Sequence, residues 1–117
     1  MEQSPPLRIA IVGSREYKHP ERVREYVRAL PAGTVIISGG ARGVDRTAET
    51  EARKRGLEVV SLIPDWDRMG KFAAFQRNQA IVDACDKVVA FWDGESQGTA
   101  DTMARAKRKD IPVELHS

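Results

Sequence analysis

The strongest constraint on the fold is an alternation of five short, β-branched apolar runs, each separated from the next by a segment long enough for a helix. LRIAIVG over 7–13 comes first and stops at a glycine. TVIIS over 34–38, LEVVSLI over 57–63, KVVAFW over 87–92 and IPVEL over 111–115 follow. Near-continuous apolar runs are what strands buried on both faces of a parallel sheet require, and strands that alternate with helices build β-α-β units. The intervening segments carry helical spacing: Val23, Val27 and Leu30 over 20–30, then Val44, Ala48 and Ala52. A third helix is predicted over 71–84, where Asn78 shares the inward face with Ile81, Val82 and Cys85 and needs a hydrogen-bond partner, and a fourth over 99–109. The expectation is a three-layer, Rossmann-like α/β fold with a five-stranded, mainly parallel sheet, formed by residues 7–117 as one domain behind a flexible stretch over 1–6.

Composition narrows the function classes. At 117 residues, 41% apolar and 31% charged with both signs mixed, the chain reads as a water-soluble globule with one core. No apolar run approaches the roughly 20 residues of a membrane-spanning helix. The segment over 1–7 (MEQSPPL) has neither the charged start nor the apolar stretch of a secretory signal, so a cytoplasmic location without a membrane partner is expected. Cys85 is the single cysteine and the histidines, His19 and His116, stand far apart, so no disulfide, redox role, metal site or cofactor is expected. Net charge is +2. The cluster Arg105, Lys107, Arg108 and Lys109 reads as a solvated basic helix face, with a nucleic-acid footprint as the alternative.

The two edges of the predicted sheet differ sharply. Helix-to-strand connections are short turns: Pro31-Ala32-Gly33, Arg55-Gly56, Ala84-Cys85-Asp86 and Asp110. Strand-to-helix connections concentrate glycine, hydroxyls and arginine: Gly13-Ser14-Arg15, Ser38-Gly39-Gly40-Ala41-Arg42-Gly43, Pro64-Asp65-Trp66, and the loop from Asp93 to Thr99. All lie at the carboxyl ends of strands, where open parallel sheets bind ligands and helix amino-termini favour anions.

SGGARGVD over 38–45 is the strongest of these, with glycines that let the backbone approach a phosphate or, alternatively, make a tight turn. Neither G-x-G-x-x-G nor G-x-x-x-x-G-K-[ST] occurs, so a dinucleotide fingerprint and a Walker-type site are unsupported. Asp45 either caps the next helix or binds a sugar hydroxyl. Arg15 suits bidentate contact with a phosphate or an exposed ion pair; Ser96, Gly98 and Thr99 suit a second anion cradle or an N-cap. Trp66 and Trp92, both at strand ends, are candidates for base stacking, with core packing or a dimer contact as alternatives. Arg77 beside Asn78 supplies a cation and a planar amide, or a structural pair.

GSR after the first strand, SGGARGVD after the second, RN on the third helix and D-G-x-S-x-G-T after the fourth strand together resemble the SLOG superfamily, in particular its small stand-alone YspA-like branch. The resemblance runs from Leu7 to Leu115 and implies a Rossmann-like sheet that binds nucleotides or nucleotide-derived ligands, with a homodimer or higher oligomer. Two related groups imply different activities. Lonely-Guy phosphoribohydrolases cleave the N-glycosidic bond of nucleoside monophosphates with an arginine on the third helix, which Arg77 matches, and a glutamate in P-G-G-x-G-T-x-x-E. Here Glu95-Ser96 replaces the Pro-Gly and Thr102 stands at the glutamate position. Asp101 is one residue away, about 100° round the helix. Loss of the carboxylate removes the expected acid/base group, so the resemblance weighs toward binding or sensing, with hydrolysis by Arg77 and a shifted Asp101 as the alternative. The DNA-processing protein DprA resembles the chain in the GSR and S-G-x-A-R-G-x-D segments, which implies single-stranded DNA as a further alternative, contacted through Arg15 and Arg42.

Overall fold

A computed structural model describes residues 6–117. The frayed amino-terminus expected over 1–6 falls, apart from Pro6, outside the described residues. Five strands, β1 (Arg8–Gly13), β2 (Val35–Ser38), β3 (Glu58–Ser61), β4 (Lys87–Phe91) and β5 (Val113–His116), form one sheet in the order β3-β2-β1-β4-β5, all parallel. The helices are α1 (Pro20–Arg28), α2 (Val44–Lys54), α3 (Trp66–Met69), α4 (Ala73–Ala84) and α5 (Gln97–Arg108), with a 3-10 turn over Gly70–Phe72.

The apolar runs explain the layering. Along β1, Ile9 and Ile11 turn toward Val23 and Val27 of α1 and Val44 and Ala48 of α2, while Ala10 and Val12 turn toward Ile81 and Val82 of α4 and Met103 and Ala106 of α5. A central strand buried on both faces has no solvated side, hence its unbroken apolar run. Ile9 lies level with Ile36 of β2 and with Lys87 of β4. Strand order reverses at β1: α1 and α2 cover one face, α4 and α5 the other, so the loops leaving β1 and β4 part to opposite sides and open a crevice between them.

The structure departs from the expected boundaries for local reasons. Segment 64–66 is not a simple loop: the Asp65 carboxylate accepts a hydrogen bond from Arg68 N at 3.2 Å and caps the short helix α3, so the main helix starts at Ala73 instead of 71. β5 begins at Val113 because Pro112 has no N–H to give to the ladder; its carbonyl still accepts from Val88 N at 2.9 Å. α5 begins at Gln97, two residues before the expected start. Among the described residues no helix is long and apolar enough to cross a membrane.

Candidate functional site

The crevice at the carboxyl end of β1 and β4 holds an open cleft of about 100 Å³. Gly13 and Arg15 reach it from the β1 loop, Ala41 and Asp45 from the β2 loop and the first turn of α2, Arg77 and Asn78 from α4, and Ser96, Gly98 and Thr99 from the start of α5. Two close approaches let these loops meet. Gly13 sits where a Cβ would collide with the Phe91 carbonyl and stand 2.7 Å from Val44 Cγ2. Gly43 has φ +84°, and a Cβ there would stand 2.5 Å from the Arg15 carbonyl oxygen, so the second loop lies against the first only because position 43 is glycine.

Arg77 is the keystone of the cleft wall. Its Nη1 donates to Gly39 O at 2.6 Å and its Nε to Asn78 Oδ1 at 3.0 Å. Asn78, buried as the helical spacing predicts, finds its partners on α5: Nδ2 donates to Asp101 Oδ2 at 3.0 Å. Asp101 also accepts from Arg105 Nε at 2.7 Å, and Arg105 Nη1 donates to Gln79 Oε1 at 3.1 Å. Arg105 is therefore no solvated cation; its side chain is 21% exposed and locks α4 to α5. It was hidden in a run of basic residues, although its spacing of four from Asp101 is the signature of a helical ion pair. Gln79, the other partner, carried no signal of its own.

Asp45 is 6% exposed. Its Oδ2 accepts from Ala41 N at 3.3 Å, so the carboxylate braces the preceding loop and does not cap α2, whose N-cap is Gly43. Burial pushes its pKa up to about 6; the Ala41 hydrogen bond and the nearby Arg77 charge offset only part of that. Arg77 is held below the usual guanidinium value by burial, with Arg15 adding to the shift and Asp45 opposing it. A Cβ at Gly39 would lie 2.6 Å from Arg77 Nη1 and 2.9 Å from Asp45 Oδ2, so that glycine lets both groups flank one peptide.

Of the other residues singled out above, Ser14, Ser38, Arg42, Trp66 and Trp92 lie outside the cleft, whereas Thr102 lines it together with Ser96. Ser14 is 1% exposed and its hydroxyl accepts from Asp93 N at 3.0 Å, tying the β1 loop to the β4 loop. Ser38 Oγ accepts from Gly40 N at 3.2 Å. Arg42 is exposed and stands 3.8 Å from Glu16. Trp66 is exposed on α3, and Trp92 Nε1 donates to Ser96 O at 2.9 Å. Ser96 is the N-cap residue of α5, yet its hydroxyl pairs with Thr99 Oγ1 at 3.1 Å and makes no cap, which leaves the first-turn amides of α5 without a side-chain acceptor. Thr102 Oγ1 donates back to Gly98 O at 3.0 Å. Removing the tie between the loops has a defined cost: Ser14→Ala should lower stability by about 1 to 1.5 kcal/mol, read as a fall in urea midpoint at unchanged slope.

A family model described as YAcAr, the YspA, cpYpsA-related SLOG family, matches residues 7–69, more than half of the chain. The chain belongs to this family. As a YspA-related SLOG protein it is also 36% identical over 116 residues to the Gene 61 protein of Mycobacterium phage D29, covering 91% of this chain and 93% of the phage protein. Among solved structures it is similar to DNA processing protein A (DprA) from Streptococcus pneumoniae, with TM-score 0.81 at 23% identity over 94% of this chain. DprA from Helicobacter pylori, a structure described for its single-stranded DNA binding mode, gives TM-score 0.74 at 23% identity over 94% of this chain. At that identity the likeness is one of fold. The chain spans 50% of the first DprA and 65% of the second.

Proposed function

We propose that this SLOG protein binds a nucleotide-derived ligand through its phosphate and ribose, and senses it without cleaving it. Family membership supports nucleotide- or DNA-related binding at a general level. The observation that carries the finer reading is the convergence of two guanidinium groups, Arg15 and Arg77, with the uncapped start of α5 on one small cleft at the strand-order reversal. Helix amides and guanidinium forks are complementary to a phosphate, and Asp45 and Asn78 at the inner wall suit a sugar hydroxyl. Binding is favoured over hydrolysis because Thr102 stands where a phosphoribohydrolase has its glutamate, and its hydroxyl is spent on Gly98 O. Asp101 is engaged by Asn78 and Arg105.

Titration calorimetry with ribose 5-phosphate and nucleoside 5′-monophosphates tests this reading. Binding should occur without release of free base, and Arg15→Ala should weaken it by about tenfold, the worth of one charge-assisted hydrogen bond. Arg77→Ala should do at least as much. Failure of every phosphate ester to bind would overturn the proposal. The DprA neighbours, one described as a single-stranded DNA binder, and the exposed aromatics Trp66, Phe72 and Phe75 favour a second reading. Oligonucleotide binding that falls steeply with salt, without mononucleotide binding, would favour it over the first.

A further inference from the structure

The polar network behind the cleft wall has a direction. Asn78 is buried, so its amide is oriented by protein groups instead of bulk water, and the two ends of that amide have nearly the same shape. Its sense is set by what faces each end. The oxygen faces a donor, Arg77 Nε at 3.0 Å; the nitrogen faces two acceptors on α5, Asp101 Oδ2 at 3.0 Å and the Gly98 carbonyl at 3.5 Å. The Gly98 contact is longer than an ordinary N–H···O bond, which leaves Asp101 as the close acceptor. Turned over, the amide would set its N–H groups against the Arg77 Nε–H and its oxygen against a carboxylate.

Both neighbours of that amide are themselves held. Asp101 is anchored from the far side by Arg105, whose Nε donates to the same oxygen at 2.7 Å, whose Nη1 donates to Gln79 Oε1 at 3.1 Å and whose guanidinium carbon lies 5.9 Å from the Phe75 ring centre. Arg77 is gripped at two nitrogens, Nε by Asn78 and Nη1 by the Gly39 carbonyl at 2.6 Å. A guanidinium is planar and rigid, so fixing two of its nitrogens fixes the whole fork. Nη2 makes no hydrogen bond among the described residues, and Nη1 keeps a second N–H. Those donors remain for a phosphate in the cleft that Arg77 lines.

We infer that Asp101 is the positioning residue of the phosphate site: it fixes the sense of the Asn78 amide and thereby the aim of the Arg77 fork. This rests on the phosphate reading above and adds the group that aligns its arginine. The role needs an acceptor, not a charge or an acid. Both bonds to Asp101 land on Oδ2, so Asp101→Asn keeps an acceptor there and Asp101→Ala removes it, while both lose the same negative charge. In calorimetry with ribose 5-phosphate, Asp101→Ala should bind about tenfold more weakly than Asp101→Asn, the effect of one misaligned charge-assisted hydrogen bond. In ¹H–¹⁵N spectra the Arg77 Nε–H, assigned by its loss in Arg77→Lys, should exchange slowly in the wild type and in Asp101→Asn but rapidly in Asp101→Ala. Lys109→Ala cuts another tie between α4 and α5, to Asp83 at 2.6 Å, and should leave ribose 5-phosphate affinity as it is in the wild type. Equal affinity of the two Asp101 variants, an Arg77 signal unmoved in Asp101→Ala, or an equal loss in Lys109→Ala would overturn the positioning role and leave the phosphate site standing. If Asp101→Ala does not fold, the wild-type spectrum decides: an Arg77 Nε–H that exchanges as fast as that of the exposed Arg42 overturns the role, and a protected one upholds it. If no phosphate ester binds the wild type, both readings fall.

Discussion

Gly13→Ala should cost the fold about 3 kcal/mol, the upper end of what overpacking a tight site exacts. The new methyl would stand against the Phe91 carbonyl oxygen, 2.7 Å from Val44 Cγ2 and 2.8 Å from Val44 Cβ. Val44 is buried at the start of α2. The Phe91 carbonyl is main chain, accepts the Ser14 N–H at 3.1 Å and cannot rotate aside. Relief therefore requires β1 and β4 to separate where they meet the cleft. Urea denaturation should show a reduced midpoint with unchanged slope, and ligand affinity should fall with it. Gly98→Ala is the matched control: no atom lies within 4 Å of a Cβ there, and stability should hold. A Gly13→Ala variant within about 0.5 kcal/mol of the wild type, as an ordinary surface change would be, would mean that the β1–β4 seam yields without strain.

Asp45→Asn should make the protein more stable above neutral pH, by about 2 to 3 kcal/mol. The carboxyl titrates near 6 in the folded state against 3.8 for the ordinary group. Between those values the folded chain holds a proton that the unfolded chain has lost. Stability contributed by this group is therefore complete below the ordinary value, falls as pH rises through the window, and is gone above pH 6. Asparagine stays neutral throughout and its Oδ1 can still accept from Ala41 N. The difference in unfolding free energy between variant and wild type should grow from pH 4 to pH 6.5 and then level off. Asp83 and Glu114 are held below their ordinary values chiefly by hydrogen bonds from Lys109 and Lys87, so their stabilising effect is lost on acidification. They are common to both proteins and cancel in the difference. A flat difference curve would mean that Arg77 keeps Asp45 ionised at no cost. For a phosphate monoester, whose own second ionisation lies at about 6, the same titration predicts that lowering the pH from 7.5 to 5.5 favours binding to the wild type more than binding to Asp45→Asn, because only the wild type gains a neutral group beside Arg15 and Arg77 while the ligand's titration is common to both.

The architecture was legible because parallel strands buried on both faces must be apolar throughout, as residues 9–12 are. Element ends were less so, since Asp65 capping a one-turn helix and Pro112 delaying β5 are local events that periodicity does not register. In the site, composition marked the right edge of the sheet but could not say which way a side chain turns. Ser14 and Arg15 are neighbours with equal claims on a phosphate, yet one hydroxyl is buried against Asp93 N and the other side chain lines the cleft. The environment of Asp45 was equally hidden. Its titration is set by burial against Gly39 and Arg77, and Arg77 lies 32 positions further along (77 − 45).

The seam between β1 and β4 also orders events in time. β1 pairs with β2 across one helical crossover, whereas its bond to the far half, Arg8 N to Asp86 Oδ2, closes a separation of 78 residues. Long-range closures form late and slow the folding of a chain. Arg77, Asn78 and the start of α5 belong to the half of the chain that joins β1 through β4, so the expected order has the β1–β3 half assembling first and the cleft completed only when β4 docks. A ligand lying across the two loops then acts as a clasp on that seam. Its signature would be slowed amide hydrogen exchange along β1 and β4, with little change in β3 or β5.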